Sequence, residues 1–322
     1  MSFQQLSLPT AYPMHTSNPD IFVVDSEYYQ PELASIHFVR DADRIALIDT
    51  GTSGSVAAVE AALNKLKLSF EHVEKIVLTH IHLDHAGGAG ALMQKCPNAE
   101  LVVHPRGARH MVDPSKLIAG ASAVYGEKEF KHLYGEILPV DESRVVAPED
   151  GDTITLGSKT LTFYDTPGHA SHHHCIHESS SNSVFTGDTL GVGYRALRDN
   201  SHAFVCTTTT PVQFNPEALH ASIDKVMALD PTYLYLTHYS EIRPSTRIVA
   251  GLHEQIDDYV ALTELAMKEG GEPQLVQLIT DYLVTRATNE LPNLNADLAR
   301  QWLTLDANLN AQGLAFWWQL RK

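Results

Sequence analysis

The stretch THIHLDHAGG, residues 79–88, decides the reading of this chain. Its centre, His80-Ile81-His82-Leu83-Asp84-His85, holds four metal-binding side chains within six residues. Clustered His and Asp are costly to bury without compensation, so chance is a poor account of the run. Imidazole and carboxylate without cysteine suit zinc, iron or manganese. His80 and His82, two apart on an extended turn, can chelate one ion. Asp84 and His85 then point toward a second.

Working outward, VEKIVLT (73–79) reads as a buried strand that ends at His80. Three distant residues follow strands in the same way: His169 after LTFYDTPG, Asp188 after VFTG, and His238 after YLYLT. Open α/β sheets gather ligands at the carboxyl ends of their strands, so these turns can converge on one point. An aspartate has two oxygens and can bridge, which is the role expected of Asp188. Two metals ~3.5–4 Å apart hold a shared hydroxide and polarise the group it attacks. The echo of VLTH (77–80) in YLTH (235–238) predicts two similar halves facing one another.

The rest of the pattern is α/β, then helical. Residues 21–24, 34–39 and 44–48 read as strands of a meander, and 55–68 as an alanine-rich helix. A short helix to about Cys96 and a strand at 100–103 follow. Residues 105–150 look like a loop-rich insertion with helical pieces, able to wall a pocket or simply to pack. Strands resume at 153–156, 159–164, 183–186 and 232–236. Asn215-Pro216-Glu217 starts a helix that runs to Leu229. The expected division is a catalytic domain over 1–245 and a helical C-terminal unit over 246–322. Gly270-Gly271 stops that unit's first helix, and further helical patterns lie near 274–288 and 295–320. All three tryptophans, Trp302, Trp317 and Trp318, lie there. Core packing accounts for them most simply; a homodimer interface or a pocket wall is the alternative.

Composition narrows the function. A net charge of −16 over 322 residues argues against nucleic acid as a partner, because phosphate backbones need a basic footprint. Bound divalent cations would reverse the field locally and still admit an anionic small molecule. Cys96, Cys175 and Cys206 form no CxxC pair, as expected in a reducing compartment. MSFQQLSLPT at the start lacks signal-peptide features, and no run approaches the ~18–20 apolar residues of a membrane span. The expectation is a cytoplasmic protein with no membrane partner.

With THIHLDHAGG (79–88), DTPGHA (165–170), FTGDTL (185–190) and LTHYS (236–240) in view, residues 20–245 resemble the metallo-β-lactamase superfamily. The resemblance implies an αββα sandwich with the site on the upper edge of its two sheets, here with a helical C-terminal extension. It implies His80, His82 and His169 on one metal, Asp84, His85 and His238 on a second, and Asp188 bridging. His82 stands where the superfamily's flavodiiron oxygen reductases carry glutamate, which argues against redox chemistry. Asp188 stands where secreted zinc β-lactamases often carry cysteine. The pattern looks most like the glyoxalase II and lactonase branches, and within them a subgroup with TPGHA-x-HH and a threonine-rich loop, here DTPGHASHHH (165–174) and CTTTTP (206–211).

Supporting roles are expected of several neighbours. Ligating histidines usually donate their other N–H to a carboxylate or carbonyl, which suits Asp49 and, less clearly, Asp165. His172, His173 and His174 are expected to bond and pack around the ligands. Tyr194 could hold a substrate oxygen, as a tyrosine does in lactonase-type relatives, and Arg195 or Arg198 could meet an anionic group. Thr207 to Thr210 are expected to line the entrance. The expected reaction is hydrolysis of an ester, thioester or lactone by a metal-bridging hydroxide, with Asp84 delivering a proton to the leaving group. The alternatives are a small-molecule phosphodiesterase and a metal-containing ligand-binding regulator that acts through its C-terminal helices.

Overall fold

The computed structural model describes residues 14–199, 202–209 and 212–321. The N-terminal stretch read for a leader and Thr210 of the threonine run lie outside them. The first sheet begins as an antiparallel meander of β1 (Met14–His15), β2 (Ile21–Asp25), β3 (Ser35–Asp41) and β4 (Arg44–Ile48). Helix α1 (Val56–Lys65) crosses over to β5 (Val73–Val77), which pairs parallel with β4. Helices α2 (Leu83–Ala86) and α3 (Ala89–Lys95) lead to β6 (Glu100–Val102), also parallel. Helices α4 (Pro105–Val112), α5 (Ser115–Tyr125) and α6 (Glu127–Tyr134) precede the edge strand β7 (Val145–Val146).

The second sheet repeats the plan. β8 (Thr153–Leu156), β9 (Lys159–Asp165), β10 (His174–Glu178) and β11 (Ser183–Gly187) form a meander. Helix α7 (Pro216–Met227) crosses to the parallel strand β12 (Tyr233–Leu236), and β13 (Ser240–Ile242) closes the edge. The echoed tetrapeptides therefore mark equivalent strand ends, each reached through a crossover helix. That is the physical content of the two-halves expectation.

Period-two alternation builds the layers. In β4, Ile45 and Leu47 face α1, while Ala46 and Ile48 face the other sheet. Between the sheets, Ile48, Val77 and Val102 meet Phe163, Ile176 and Phe185, all at most 1% exposed. Truncating such a phenylalanine to alanine costs ~3–5 kcal/mol. Helix α1 buries Ala58, Val59, Ala62 and Leu63 on one stripe. It stops before the expected Leu68 because Lys67 takes a left-handed φ of 60°.

Helices α8 (Thr246–Glu269), α9 (Glu272–Glu290) and α10 (Ala296–Leu320) join α7 on the outer face of the second sheet. Leu236, Leu252, Ile256, Leu283, Leu303 and Trp317 share one apolar cluster there. The result is an αββα sandwich with added C-terminal helices. Trp302 and Trp318 pack against the same cluster, so the tryptophans serve its core. The 105–150 insertion is more helical than expected. Its Phe130 and Tyr134 pack with Ile137 on Leu83 of α2, the helix that carries Asp84 and His85. No helix among the described residues is long and apolar enough to cross a membrane.

Candidate metal centre

Strand ends and the turns that leave them deliver seven side chains to one edge of the sandwich. β5 ends just before His80, β9 before His169, β11 before Asp188, and β12 before His238. Nε2 of His80 and Nε2 of His169 lie 2.8 and 3.1 Å from Nδ1 of His82. These three could hold one cation. Asp84, His85 and His238 could hold another: Nε2 of His238 is 3.4 Å from Oδ2 of Asp84 and 3.3 Å from Nε2 of His85.

Asp188 stands between the two sets. Its Oδ2 is 3.5 Å from Nε2 of His169, and its Oδ1 is 3.3 Å from Nε2 of His85 and 3.7 Å from that of His238. Oδ1 is buried and has no hydrogen-bond partner. A buried carboxylate oxygen facing imidazole nitrogens is the environment a cation satisfies, so the residues fit a divalent metal. Gly187 makes this approach available with φ at 48°, and a Cβ there would collide with His173.

Electrostatics point the same way. Burial, reinforced by neighbouring imidazoles, holds His80 and His169 well below the usual histidine range. Burial likewise lowers His82 to about 4. All three are therefore neutral at pH 7, the form that binds metal. His85 behaves oppositely. Burial opposes its charge, but Asp188, Asp84 and Asp49 raise it to about 10. His238 is also raised, against burial, by Asp188 and Asp84. Burial would raise Asp84 too, yet His85 and His238 keep it ionised, well below the carboxylate range. The carboxylates thus favour positive charge at the second set, which a divalent cation could supply in place of protons.

Asp49 organises the seam. Held in the left-handed region at φ 60°, it accepts from Nδ1 of His85 at 2.8 Å, the Thr79 backbone N–H at 2.8 Å and the Thr237 hydroxyl at 2.8 Å. Thr79 and Thr237 are the threonines of the two echoed tetrapeptides. His238 donates through Nδ1 to the Leu33 carbonyl at 2.8 Å, which leaves Nε2 with a lone pair toward the cluster. His173 accepts the Asp188 N–H at 3.2 Å, and His174 donates to the Leu78 carbonyl at 2.7 Å.

Other expected residues are held by other partners. Asp165 accepts from His104 at 3.0 Å and touches none of the seven. Tyr194 is 2% exposed, and its hydroxyl donates to Asp306 of α10 at 3.1 Å. Its one O–H is therefore engaged within the protein. Arg198 donates to the carbonyls of Gly193, Tyr239 and Glu241, and Arg195 pairs with Glu32 at 3.3 Å. Neither arginine is presented to the metal cluster by these bonds.

Sequence reasoning missed the supports that come from afar. The Thr208 hydroxyl lies 2.9 Å from Nδ1 of His169 and 3.0 Å from the Asp188 carbonyl. Two buried amides clasp its segment. Gln255 of α8 accepts the Thr207 N–H at 3.0 Å and donates to the Val205 carbonyl at 2.9 Å. Asn310 of α10 accepts the Thr209 N–H at 2.7 Å and donates to the Thr207 carbonyl at 3.0 Å. The threonine run was the available signal, but nothing local ties it to these helices. Asp306, also of α10, is buried with Oδ2 unpartnered, and burial pushes its carboxyl up to about 7.

Two facing mixed sheets with His and Asp donors gathered at one edge define a class of metal-dependent hydrolases. The chain belongs to the metallo-beta-lactamase superfamily, whose family model matches residues 29–238. It is 27% identical over 218 residues to the metallo-beta-lactamase fold-containing protein ST1585 of Sulfurisphaera tokodaii, covering 66% of this chain and 76% of that one. The crystal structure of that archaeal protein matches the fold with a TM-score of 0.62 at 22% identity, over 91% of this chain and 97% of that one. The chain is 24% identical to the hydroxyacylglutathione hydrolase of a Jannaschia species, over 88% of this chain and 92% of the relative. It is 25% identical to human acyl-coenzyme A thioesterase MBLAC2, over 53% of this chain and 63% of the relative, so the chain spans less than two thirds of that enzyme. The expectation of a hydrolase of this superfamily stands.

Proposed function

We propose that the chain is a dinuclear metal-dependent hydrolase of a small-molecule ester, thioester or lactone, with a thioester as the first choice. The observation that carries the reading is Asp188, with one carboxylate oxygen toward each set of ligands and Oδ1 otherwise unpartnered. His80, His82 and His169 would hold one cation, Asp84, His85 and His238 the other, with Asp188 shared. Two divalent ions, zinc first and iron or manganese as alternatives, supply when bound an acidified water and polarisation of the carbonyl oxygen. Support for a thioester comes from two of the relatives, named as a hydroxyacylglutathione hydrolase and an acyl-coenzyme A thioesterase.

The chain's own residues do the rest. Asp49 and the Leu33 carbonyl fix the tautomers of His85 and His238, so that both present Nε2. Thr208 does the same for His169. Asp84 is ionised with its side chain 24% exposed, the most open of the carboxylates in the cluster. Its Oδ1 takes the proton of the attacking water and returns it to the leaving thiolate or alkoxide. Tyr194 keeps a role on a substrate oxygen only if it releases Asp306.

His82→Ala and Asp188→Ala should each abolish turnover and lower bound metal measured by elemental analysis. A panel of aryl esters, lactones, glutathione and coenzyme A thioesters and bis-aryl phosphates assigns the bond. Full activity in a metal-free preparation would sink the reading, and turnover of the phosphodiester alone would replace it with phosphodiester hydrolysis.

A further inference from the structure

The helix α4, PRGARHMV, carries Arg106, Arg109 and His110 and no acid, in a chain whose net charge is −16. Arg106 and Arg109, three apart, share one side of the helix. They border a cavity of about 310 Å³ that is also lined by His110, Ser171, His172 and Gln213. The cavity adjoins the metal cluster through His172. That ring is 8% exposed, lies edge-on to His82 at 5.6 Å and stacks over His80 at 6.2 Å, and its Nδ1 has no hydrogen-bond partner.

The donors around the cavity are organised. Nη1 of Arg106 donates to the Ser171 carbonyl at 2.9 Å, which pins the guanidinium to the turn just after His169. Four of its five N–H donors remain for other acceptors. Nε of Arg109 is 3.2 Å from Nε2 of His110, so its terminal nitrogens extend beyond that contact. Gln213 accepts from both the N–H and the hydroxyl of Ser171, at 2.6 and 2.7 Å. Its amide nitrogen is then the end left to donate. The adjoining cavity shares Arg106 but is acidic through Glu149, Asp150 and Asp165, so it does not suit an anion.

We propose that the cavity between α4 and the 171–172 turn binds an anionic group, a phosphate or carboxylate, on the carrier half of the substrate. This deepens the thioesterase reading and rests on it for the identity of the carrier. A guanidinium pair matches the planar, bidentate geometry of both anions. A site beside the ligands His80 and His82 would anchor the leaving group's carrier while the acyl carbon stays over the metal cluster.

The test compares one acyl group on three carriers: coenzyme A with phosphates, glutathione with carboxylates, and neutral N-acetylcysteamine. Arg109→Gln is the first variant because Arg109 has no bond to the turn after His169; Arg106→Gln is the second. Each should lower kcat/KM about tenfold or more for the charged thioester, mainly through KM, and for the neutral one by far less. The carrier that loses more identifies the anion. Equal losses on all three carriers, or no loss, would overturn the proposal. Calorimetric binding of free coenzyme A and free glutathione to the metal-loaded protein gives a readout without turnover. Binding weakened in Arg109→Gln supports the subsite, while binding unchanged by the variant, or absent from the wild type, overturns it. Wild-type binding that the variant weakens, with no thioester turned over, would remove the thioesterase reading and leave the subsite standing.

Discussion

The hydroxyl of Thr208 lies 2.9 Å from Nδ1 of His169 while donating to the Asp188 carbonyl at 3.0 Å. With its proton spent on Asp188, the Thr208 oxygen must accept from His169. The imidazole then carries its proton on Nδ1 and turns a lone pair on Nε2 toward His82. Thr208→Val should weaken metal binding about 10–100-fold, read by chelator competition, and Thr208→Ser should restore it. Equal affinity in the valine variant would show that His169 needs no such partner.

Asn310 works one step further out. Asn310→Leu leaves the Thr209 N–H buried without a partner and the Thr207 carbonyl with only the longer bond from the Tyr259 hydroxyl, at a cost of about 2 kcal/mol in urea unfolding. A loss of stability alone would mark Asn310 as structural. Loss of metal affinity in the folded variant as well would show that α10 reaches the centre through the threonine segment, and that is the expected result.

Tyr194 offers a sharper choice. Its phenol is engaged with Asp306, and its ring is tilted against Trp302 with ring centres 5.1 Å apart. Tyr194→Phe should leave kcat within about threefold and cost about 1–3 kcal/mol of stability, because the buried Asp306 carboxyl loses the phenol's hydrogen bond. A fall in kcat of two orders of magnitude would instead return to Tyr194 the duty of holding a substrate oxygen.

His37 sets an acid limit on the fold. It is buried between the sheets against Phe185 and Tyr235, with Nε2 unpartnered, and burial lowers its pKa to about 4. The unfolded chain takes up this proton near pH 6.5 but the folded chain only near 4. Stability is therefore full above pH 6.5 and falls as pH drops through that window. In the metal-free protein, His37→Phe should remove about 2 kcal/mol of the stability lost between pH 7 and pH 5. Parallel pH curves for wild type and variant would rule this out.

How much of this was legible in the sequence depended on distance along the chain. His80 to His85 are adjacent, and His169, Asp188 and His238 each close a short apolar run, so local pattern singled out the side chains that the fold brings together. Helix α8 ended where Gly270-Gly271 predicted. β10 was missed because its first residue, His174, was read with His172 and His173 as packing around the metal cluster and not as the start of an alternating strand. Asp165 lies beside the DTPGH turn in sequence, yet its side chain goes to His104. Gln255 and Asn310 meet their threonine partners across 48 and 101 residues. Their meaning lies in how the C-terminal helices dock, which no periodicity encodes.

Asp49 gives the centre a thermodynamic consequence. Because one carboxylate gathers Thr79, Thr237 and His85, the site is complete only when both halves of the sandwich are docked. A cation held by side chains from both halves favours the native state, so its concentration becomes a folding variable. Metal at a thousand times its dissociation constant would add about 4 kcal/mol to stability, and a chelator would withdraw it. Hydrogen exchange after chelation should then quicken first at the carboxyl ends of β5 and β12, making the metal a fastener of the fold as much as a reagent.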